Sequence, residues 1–479
     1  MLGFGNRRPE SRRNEEHQEQ PALVRTNVHV EMTPRWTLAI AAHAKITLRE
    51  GKCKDIEART PCAGRGGRQG LRAAGAAAIL TSRCDRGTAP AVRTVRSPMK
   101  IVEIRGYELR SKLPEPQGNS TGFVNEISTL MVSVRTDTGV VGWGETWAAP
   151  ASASTLIRRH LGPLLLGRDP MDHGVIWHEM VRQRGYDRRG HTMMAMSALD
   201  LALWDAAARA QGLPVWALLG GRQRDRLVAY ASGPYFRQGP DPYARFAQEV
   251  NGYLEAGFQA IKLRIGTTPR EDRRICLEMR AAMGSDRLLM VDLNQGYSLR
   301  TALETVHAIN DADIHWVEEP LPPDDVVGYR LFAASTPVAV AAGEALAGCE
   351  AYVDFINSRS IDIVQPDLAV CGGLTEALRI AALAYAADIR VAPHVIGGAV
   401  NFFSALHFAA VLPSRSARPF HAYPIFEYDQ TPNALRDVVP LPPLDGNGTI
   451  GIPVGPGFGF ELDPAQLTSL AVDTWALNL

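Results

Sequence analysis

Between residues 290 and 344 three short apolar runs each end in an acid: Met290-Val291-Asp292, His315-Trp316-Val317-Glu318 and Val338-Ala339-Val340-Ala341-Ala342-Gly343-Glu344. Each acid stands 26 residues after the one before it, about the length of one buried strand, one amphipathic helix and two loops. A chain built on that step is restricted to repeated βα units. In a parallel barrel the carboxyl ends of all strands converge on one face, so acids at successive strand ends meet there. A lone acid at a strand end is ordinarily a solvated loop residue, but three at a constant step point to a shared site. Three carboxylates repel one another in a partly dry cleft, and a hard divalent cation with oxygen ligands relieves that repulsion. The spacing therefore points to a Mg²⁺ site on Asp292, Glu318 and Glu344.

The same rhythm extends in both directions. Strands are expected near residues 227–232, 260–265, 288–293, 314–318, 338–342, 361–366, 390–394 and 420–427, with helices between them such as 374–387. Eight such strands close a barrel, and near-continuous apolar runs suit a sheet buried on both faces. The second strand carries Lys262-Leu263-Arg264, and alternation turns Lys262 and Arg264 to one face, the interior. Buried cations need partners, so the pair either neutralises the acids or binds an anionic substrate. The sixth strand ends in Gln365-Pro366-Asp367 and the seventh in Ala392-Pro393-His394. An Asp beside a His fixes its tautomer and raises its basicity, which makes a general base for work near neutral pH. The eighth offers Glu427, either a surface residue or a substrate contact.

Ahead of the barrel, residues 100–146 read as an antiparallel meander, with the turn Asp137-Thr138-Gly139 and a Pro- and Gly-rich stretch at 112–122 that is long for a hairpin loop and so a candidate lid. Residues 151–211 turn helical, most clearly at 195–205. The first domain is expected at 99–221 as a small α+β unit, completed by residues from about 430 to 479, with the barrel at 222–429. The Gly- and Pro-rich run at 453–460 is expected to fold back over the first domain.

Residues 1–98 hold 18 Lys and Arg against 9 Asp and Glu, leaving 33 basic and 42 acidic residues for the rest. An acidic main body argues against nucleic acid as its partner. The leader shows no helix or strand period and is expected to be disordered, and Met99 opens a strand-like run that could be the true start of translation. Its acids Glu10, Glu15, Glu16 and Glu19 are wrong for an organelle address, and the apolar run at 36–42 is too short to span a membrane. The cysteines Cys53, Cys62, Cys84, Cys276, Cys349 and Cys371 are scattered without metal-ligand spacing, which fits a reducing cytoplasm.

The motifs together are specific. Ser197-Ala198-Leu199-Asp200-Leu201-Ala202-Leu203-Trp204-Asp205, Leu213-Pro214-Val215-Trp216-Ala217-Leu218-Leu219-Gly220-Gly221, Asp292-Leu293-Asn294, Val317-Glu318-Glu319-Pro320-Leu321, Gly343-Glu344, Gln365-Pro366-Asp367 with Gly372-Gly373, and Pro393-His394-Val395 resemble the mandelate racemase subgroup of the enolase superfamily, from Met99 to the end. The resemblance implies an α/β fold, a (β/α)7β modified TIM barrel with an α+β capping domain, and Mg²⁺ held by Asp292, Glu318 and Glu344. It implies that a base removes the proton next to a substrate carboxylate and that the metal stabilises the resulting enediolate. Glu427 matches the position that hydrogen-bonds the substrate carboxylate, and Asn294 a supporting position near the metal. Lys262 matches a lysine that mostly neutralises the substrate carboxylate. By the same analogy the loops at 112–122 and 146–153 close over the site.

One departure bears on the reaction. Family members with two opposed bases usually carry Lys-x-Lys on the second strand, whereas here the pair is Lys262-x-Arg264, and an Arg cannot ordinarily lose its proton. The expected activity is a Mg²⁺-dependent dehydration of a sugar acid with His394 as base. A sugar-acid lactone cycloisomerase is the alternative, since parts of the barrel and tail also resemble galactarolactone cycloisomerases, and a racemase or epimerase comes third. A silent scaffold on the same barrel would have lost a ligand or the His394 and Asp367 pair, and none is lost. The expected partner is a small-molecule carboxylate, in a homo-oligomer, without nucleic acid or membrane. Deleting residues 1–98 should leave the melting temperature and activity unchanged, because no buried contact is lost; a large drop in melting temperature would refute this.

Overall fold

A computed structural model of the chain describes residues 98–183, 185, 187–414 and 423–479. The disorder expected for 1–98 lies, apart from Pro98, outside the described residues.

The chain opens with a long hairpin, β1 (Ile101–Asn119) and β2 (Gly122–Thr136), joined by β3 (Val141–Thr146) on one edge. The expected lid at 112–122 is thus mostly strand. Pro114 and Pro116 cannot donate to a ladder, and the pairing shifts register between Lys112 and Gln117 to pass them before it resumes at Gln117 opposite Val124. The hairpin tip therefore reaches the barrel, where Gly118 bridges Phe236. On the opposite edge the last strand of the chain pairs with β1, placing Trp475 across Gly106, where any Cβ would collide with the indole.

The helix His191–Ala210 lies on this sheet, buried from Thr192 to Ala208 except at Met194. It approaches so closely because Gly142 and Gly144 of β3 have no side chain; a Cβ at either would collide with the backbone of Ala202 or Ala198. Asp205, fully buried in this helix, accepts from Trp143 N (2.9 Å), Arg209 Nε (2.8 Å) and Phe458 N (2.7 Å). Asp200, one turn earlier, accepts from Thr375 N (2.9 Å) and Oγ1 (2.6 Å). Two buried acids on different sides of a largely apolar helix thereby tie it to the sheet and the tail, through Asp205, and to a barrel helix, through Asp200.

The second sheet holds the parallel strands β4 (Arg226–Ser232), β5 (Ala260–Arg264), β6 (Leu288–Asp292), β7 (Ile314–Glu318), β8 (Ala339–Ala342), β9 (Ile363–Val364), β10 (Arg390–Val391) and β11 (Phe426–Asp429), with helices such as Pro269–Met283, Gly373–Ala386 and Ala399–Val411 between them. Their order is β10-β9-β8-β7-β6-β5-β4-β11, a curled parallel sheet, and β12 (Thr449–Gly451) adds antiparallel to β4. The chain ends in β13 (Ala471–Asn478), the strand already described beside β1. β9 and β10 are shorter than expected because Pro366 and Pro393 end their ladders. The last strand starts at Phe426, after Pro424, rather than at 420, and residues 420–422 fall outside the described ones. Along the interior Ala260, Met290 and Trp316 pack with Tyr230, Ala341, Ile363, Ala392 and Ile425 into an apolar floor. Two residues further along each strand, on the same face, come Lys262, Asp292 and Glu318. Among the described residues no helix is long and apolar enough to cross a membrane.

The tail returns along the cap. Val215 N donates to Gly457 O (2.9 Å), and His407 links both: its Nδ1 accepts from Trp216 N and its Nε2 donates to Phe458 O, each at 3.1 Å. Burial lowers the His407 pKa from 6.5 to about 4. The unfolded chain therefore binds a proton that the folded one refuses, and the stability is fully present above pH 6.5 and lost as pH falls towards 4. The loss between pH 7 and pH 5 comes to about 2 kcal/mol. His407→Gln keeps an acceptor and a donor without titrating. It should melt lower at pH 7 yet show a smaller drop between pH 7 and pH 5 than the wild-type protein, as followed by circular dichroism; equal drops would remove His407 from this role.

Candidate active site

Asp292 and Glu318 close β6 and β7, and Glu344 follows β8 by two residues, turned inward at Gly343, whose φ is +137°. One oxygen from each of the three lies within 4.8 Å of the others. Asp292 accepts from Asn294 N (2.7 Å) and Nδ2 (3.0 Å), and Glu318 from Gln365 Nε2 (2.7 Å) and Trp316 Nε1 (3.0 Å). Glu344 Oε2 is buried with no hydrogen bond, as is Asn294 Oδ1. Burial pushes the Glu318 and Glu344 carboxyls above their usual range, and neighbouring carboxylates add to the push. Oxygen donors that repel one another, with two buried acceptors unused, fit a hard divalent cation such as Mg²⁺. A second grouping, Cys349, Glu350 and Glu376, fits one poorly. Glu376 is already held by Arg379 (2.6 Å) and Cys349 N (2.6 Å), and burial pushes the Cys349 thiol up to about 12.

Both cations are paired with acids of the cluster. Lys262, wholly buried, reaches Glu318, Glu427 (2.8 Å) and Asp292 (3.7 Å). Burial alone would lower its pKa, but Glu318 and Glu427 outweigh it and hold the ammonium charged. Arg264 pairs with Asp292 and donates to Ser232 Oγ and Tyr235 OH, both at 3.1 Å. Its charge is held more firmly still, burial being outweighed by Tyr235, Asp292 and Glu427. Glu427 is 1% exposed, which removes the surface alternative. It accepts from Val395 N (2.9 Å) as well as from Lys262, and Lys262 with His394 outweighs burial and holds its carboxyl well below the usual range.

On the far wall His394 Nδ1 meets Asp367 Oδ2 at 2.8 Å, while Nε2 faces Glu344 Oε2 at 3.3 Å. Asp367 is buried among three further donors, Ala369 N (2.7 Å), Asn401 Nδ2 (3.0 Å) and Trp147 Nε1 (2.9 Å). Four groups thus converge on its two oxygens. The bond to Nδ1 leaves His394 Nε2 facing the cluster. Burial would lower the His394 pKa, but Glu344, Glu427 and Asp367 raise it to about 10. Arg264 borders the Asp292 side of the mouth and His394 the Glu344 side, so the two stand across the cluster.

The structure thus gathers Asp292, Glu318, Glu344, Lys262, Arg264, Asn294, Asp367, His394 and Glu427 into one site. Sequence reasoning missed Trp147, Tyr235, Ser232 and Asn401. Ser232 is the last residue of a strand whose end went unexamined. Trp147 lies in the 146–153 loop expected to close over the site but was not singled out within it, and Asn401, in the first turn of a helix, had no local signal. Besides Trp147, the cap reaches the rim through Ser120 Oγ, which donates to Leu293 O (2.5 Å), and Thr146 Oγ1, which donates to Ala369 O (2.7 Å).

Residues 102–220 match the family described as mandelate racemase / muconate lactonizing enzyme, N-terminal domain, and residues 245–466 match the enolase C-terminal domain-like family. The chain is 34% identical over 374 residues to the D-galactarolactone cycloisomerase of Agrobacterium fabrum, covering 77% of this chain and 98% of that one. It is 30% identical over 350 residues to the D-gluconate dehydratase of Thermoproteus tenax, covering 71% and 69%. The crystal structure of a racemase from Streptomyces coelicolor with bound magnesium superposes with a TM-score of 0.70 at 28% identity, covering 78% of this chain and all of that one.

Calorimetric titration with Mg²⁺ tests the carboxylate cluster. Asp292→Asn, Glu318→Gln and Glu344→Gln should each weaken binding by about tenfold or more, because each removes a charged ligand. Unchanged affinity in any one variant would remove that residue from the ligand set.

Proposed function

The chain belongs to the mandelate racemase and muconate lactonizing enzyme family of the enolase superfamily, and from that premise we propose that it dehydrates a sugar acid by removing the proton next to its carboxylate. The observation that carries the reading is the asymmetry of the site: one titratable base, His394 oriented by Asp367, faces a guanidinium fixed by Asp292, Ser232 and Tyr235. Mg²⁺ held by Asp292, Glu318 and Glu344 would supply positive charge next to the substrate carboxylate. Without such compensation the proton is far too weakly acidic for a side chain to remove.

Lys262, a buried cation among Asp292, Glu318 and Glu427, adds a further positive charge for the carboxylate. Glu344 contributes most to keeping His394 protonated; with its charge met by a bound cation the ring would lose that proton, and Nε2 then takes the α-proton, Asp367 holding the ring through Nδ1–H. The C–H pair shifts towards the carboxylate, the β-carbon to oxygen bond breaks, and the imidazolium returns its proton to the departing hydroxyl as water. The enol that remains tautomerises to a 2-keto acid. One base serving both transfers favours syn elimination. Racemisation needs a second group to reprotonate the opposite face, and Arg264 remains a cation there.

The similarity to a galactarolactone cycloisomerase over nearly all of that protein favours one second reading. In it His394 removes the same proton from a lactone, and the leaving group is the ring oxygen, so no water is lost. In either case the substrate is a small sugar-acid carboxylate, with the cap of residues 99–221 and the tail closing over a barrel spanning 222–429.

Incubating the enzyme with Mg²⁺ and a library of mono- and diacid sugars and their lactones in D₂O, followed by proton NMR, separates these outcomes. A 2-keto acid formed from an open-chain acid with loss of water marks dehydration, and a ring-opened 2-keto acid formed from a lactone, of equal mass, marks cycloisomerisation. Recovered substrate should keep its α-configuration. His394→Asn should lower turnover and exchange by roughly a thousandfold. The opposite α-epimer among the products, or exchange that survives His394→Asn and is lost in Arg264→Gln, would place the base on the wrong side.

A further inference from the structure

Trp147 stands directly after β3, in the cap, yet its indole Nε1 donates to Asp367 Oδ2 at 2.9 Å, the same oxygen that meets His394 Nδ1 at 2.8 Å. Its ring centroid lies 6.1 Å from that of His394. The placement is built rather than incidental. Gly397, at φ +97°, leaves the space the indole needs, since a Cβ there would lie 2.9 Å from Trp147 Cβ and 3.0 Å from Cδ1. On either side the cap is pinned to the same rim, by Thr146 Oγ1 on Ala369 O at 2.7 Å and by Glu145 accepting from Asn401 N at 2.9 Å and from Gly398 N. Asn401 in turn donates to the other oxygen of Asp367 at 3.0 Å. The carboxylate that orients the base is therefore held by one donor from its own loop, one from a barrel helix and one from the cap.

We propose that Trp147 is a positioning residue of the cap: its indole N–H fixes the plane of the Asp367 carboxylate and so the direction in which His394 Nε2 faces the substrate. A carboxylate rotates about its Cβ–Cγ bond, and the second donor on Oδ2 removes that freedom while the imidazole changes charge. The base is then assembled only when the cap is seated on the barrel. This rests on the proposed role of His394 as base.

Trp147→Phe keeps an aromatic ring against Gly397 and removes the N–H together with one of the two fused rings. Two measurements are made on it, and the melting temperature checks that it folds. In turnover of a sugar acid, kcat should fall by roughly tenfold to a hundredfold while KM stays within about twofold, because orientation at the reacting atoms is lost and binding is not. An unchanged kcat, or a raised KM at constant kcat, would overturn the proposal by making Trp147 packing or a substrate wall. The second measurement uses no substrate. The ring N–H proton resonance that is absent in His394→Asn should shift in Trp147→Phe, and a resonance that does not move overturns the proposal whatever the kinetics show. If the wild-type protein turns over no sugar acid, the proposed function fails and the resonance alone decides the role of Trp147: a shift supports it, no shift ends it.

Discussion

The site depends on burying opposed charges in one layer above an apolar floor. Lys262, Arg264, Asp292, Glu318 and Glu427 are each 4% exposed or less. An isolated ion in such a place would cost several kcal/mol. The cost is offset because parallel strands of similar length bring these residues to the same height, so every ammonium and guanidinium finds a carboxylate at ion-pair distance. Glu344, slightly beyond its strand, is the acid left with an unused oxygen, and it faces both the cluster and His394. The charge pattern thus leaves room for a cation at one edge and places the base next to it.

The cap belongs to that arrangement. It is joined to the barrel through buried carboxylates that accept several donors from distant parts of the chain: Asp200 from Thr375, Asp205 from Trp143 and Phe458, Glu145 from Gly398 and Asn401. Each would be costly to leave unpaired, which makes partial undocking unfavourable. Gly142 and Gly144 lie where strand and helix backbones approach too closely for any side chain, and Gly397 and Gly398 leave room for the side chains of Trp147, Glu145 and Met131. Specific hydrogen bonds across a closely packed junction give a defined seat to a domain whose own sheet lies away from the chemistry.

Within the mouth the two sides differ in kind. His394, held by Asp367, presents a ring nitrogen that can take up and return a proton, whereas Arg264 is fixed by three partners and retains its charge. That difference supports one-sided chemistry for both dehydration and cycloisomerisation, since the two share the first proton transfer and differ in which oxygen leaves. Ser120 at the hairpin tip and Trp147 bring the cap to the rim of the cluster.

The strand-end acids, the inward Lys262 and Arg264, and the neighbouring Asp367 and His394 were legible because strand period and βα repeat length are local properties. A residue two positions along a strand shares its face, and a fixed step brings successive strand ends together. The same local logic misread 112–122, where proline content suggested a loop although a register shift carries the strand past Pro114 and Pro116. It left Glu427 undecided, because whether a terminal acid faces solvent or Lys262 depends on how the sheet curls. Trp147 was reached only as part of the 146–153 loop, and Asn401 and Tyr235 not at all, since they meet the site from segments whose spacing bears no relation to the barrel repeat. The sequence by itself determined which residues share a face and which strands follow one another. Only the tertiary structure decided which donors converge on Asp367, because those contacts join residues more than two hundred positions apart, at 147 and 367, and are fixed by the docking of one domain on another.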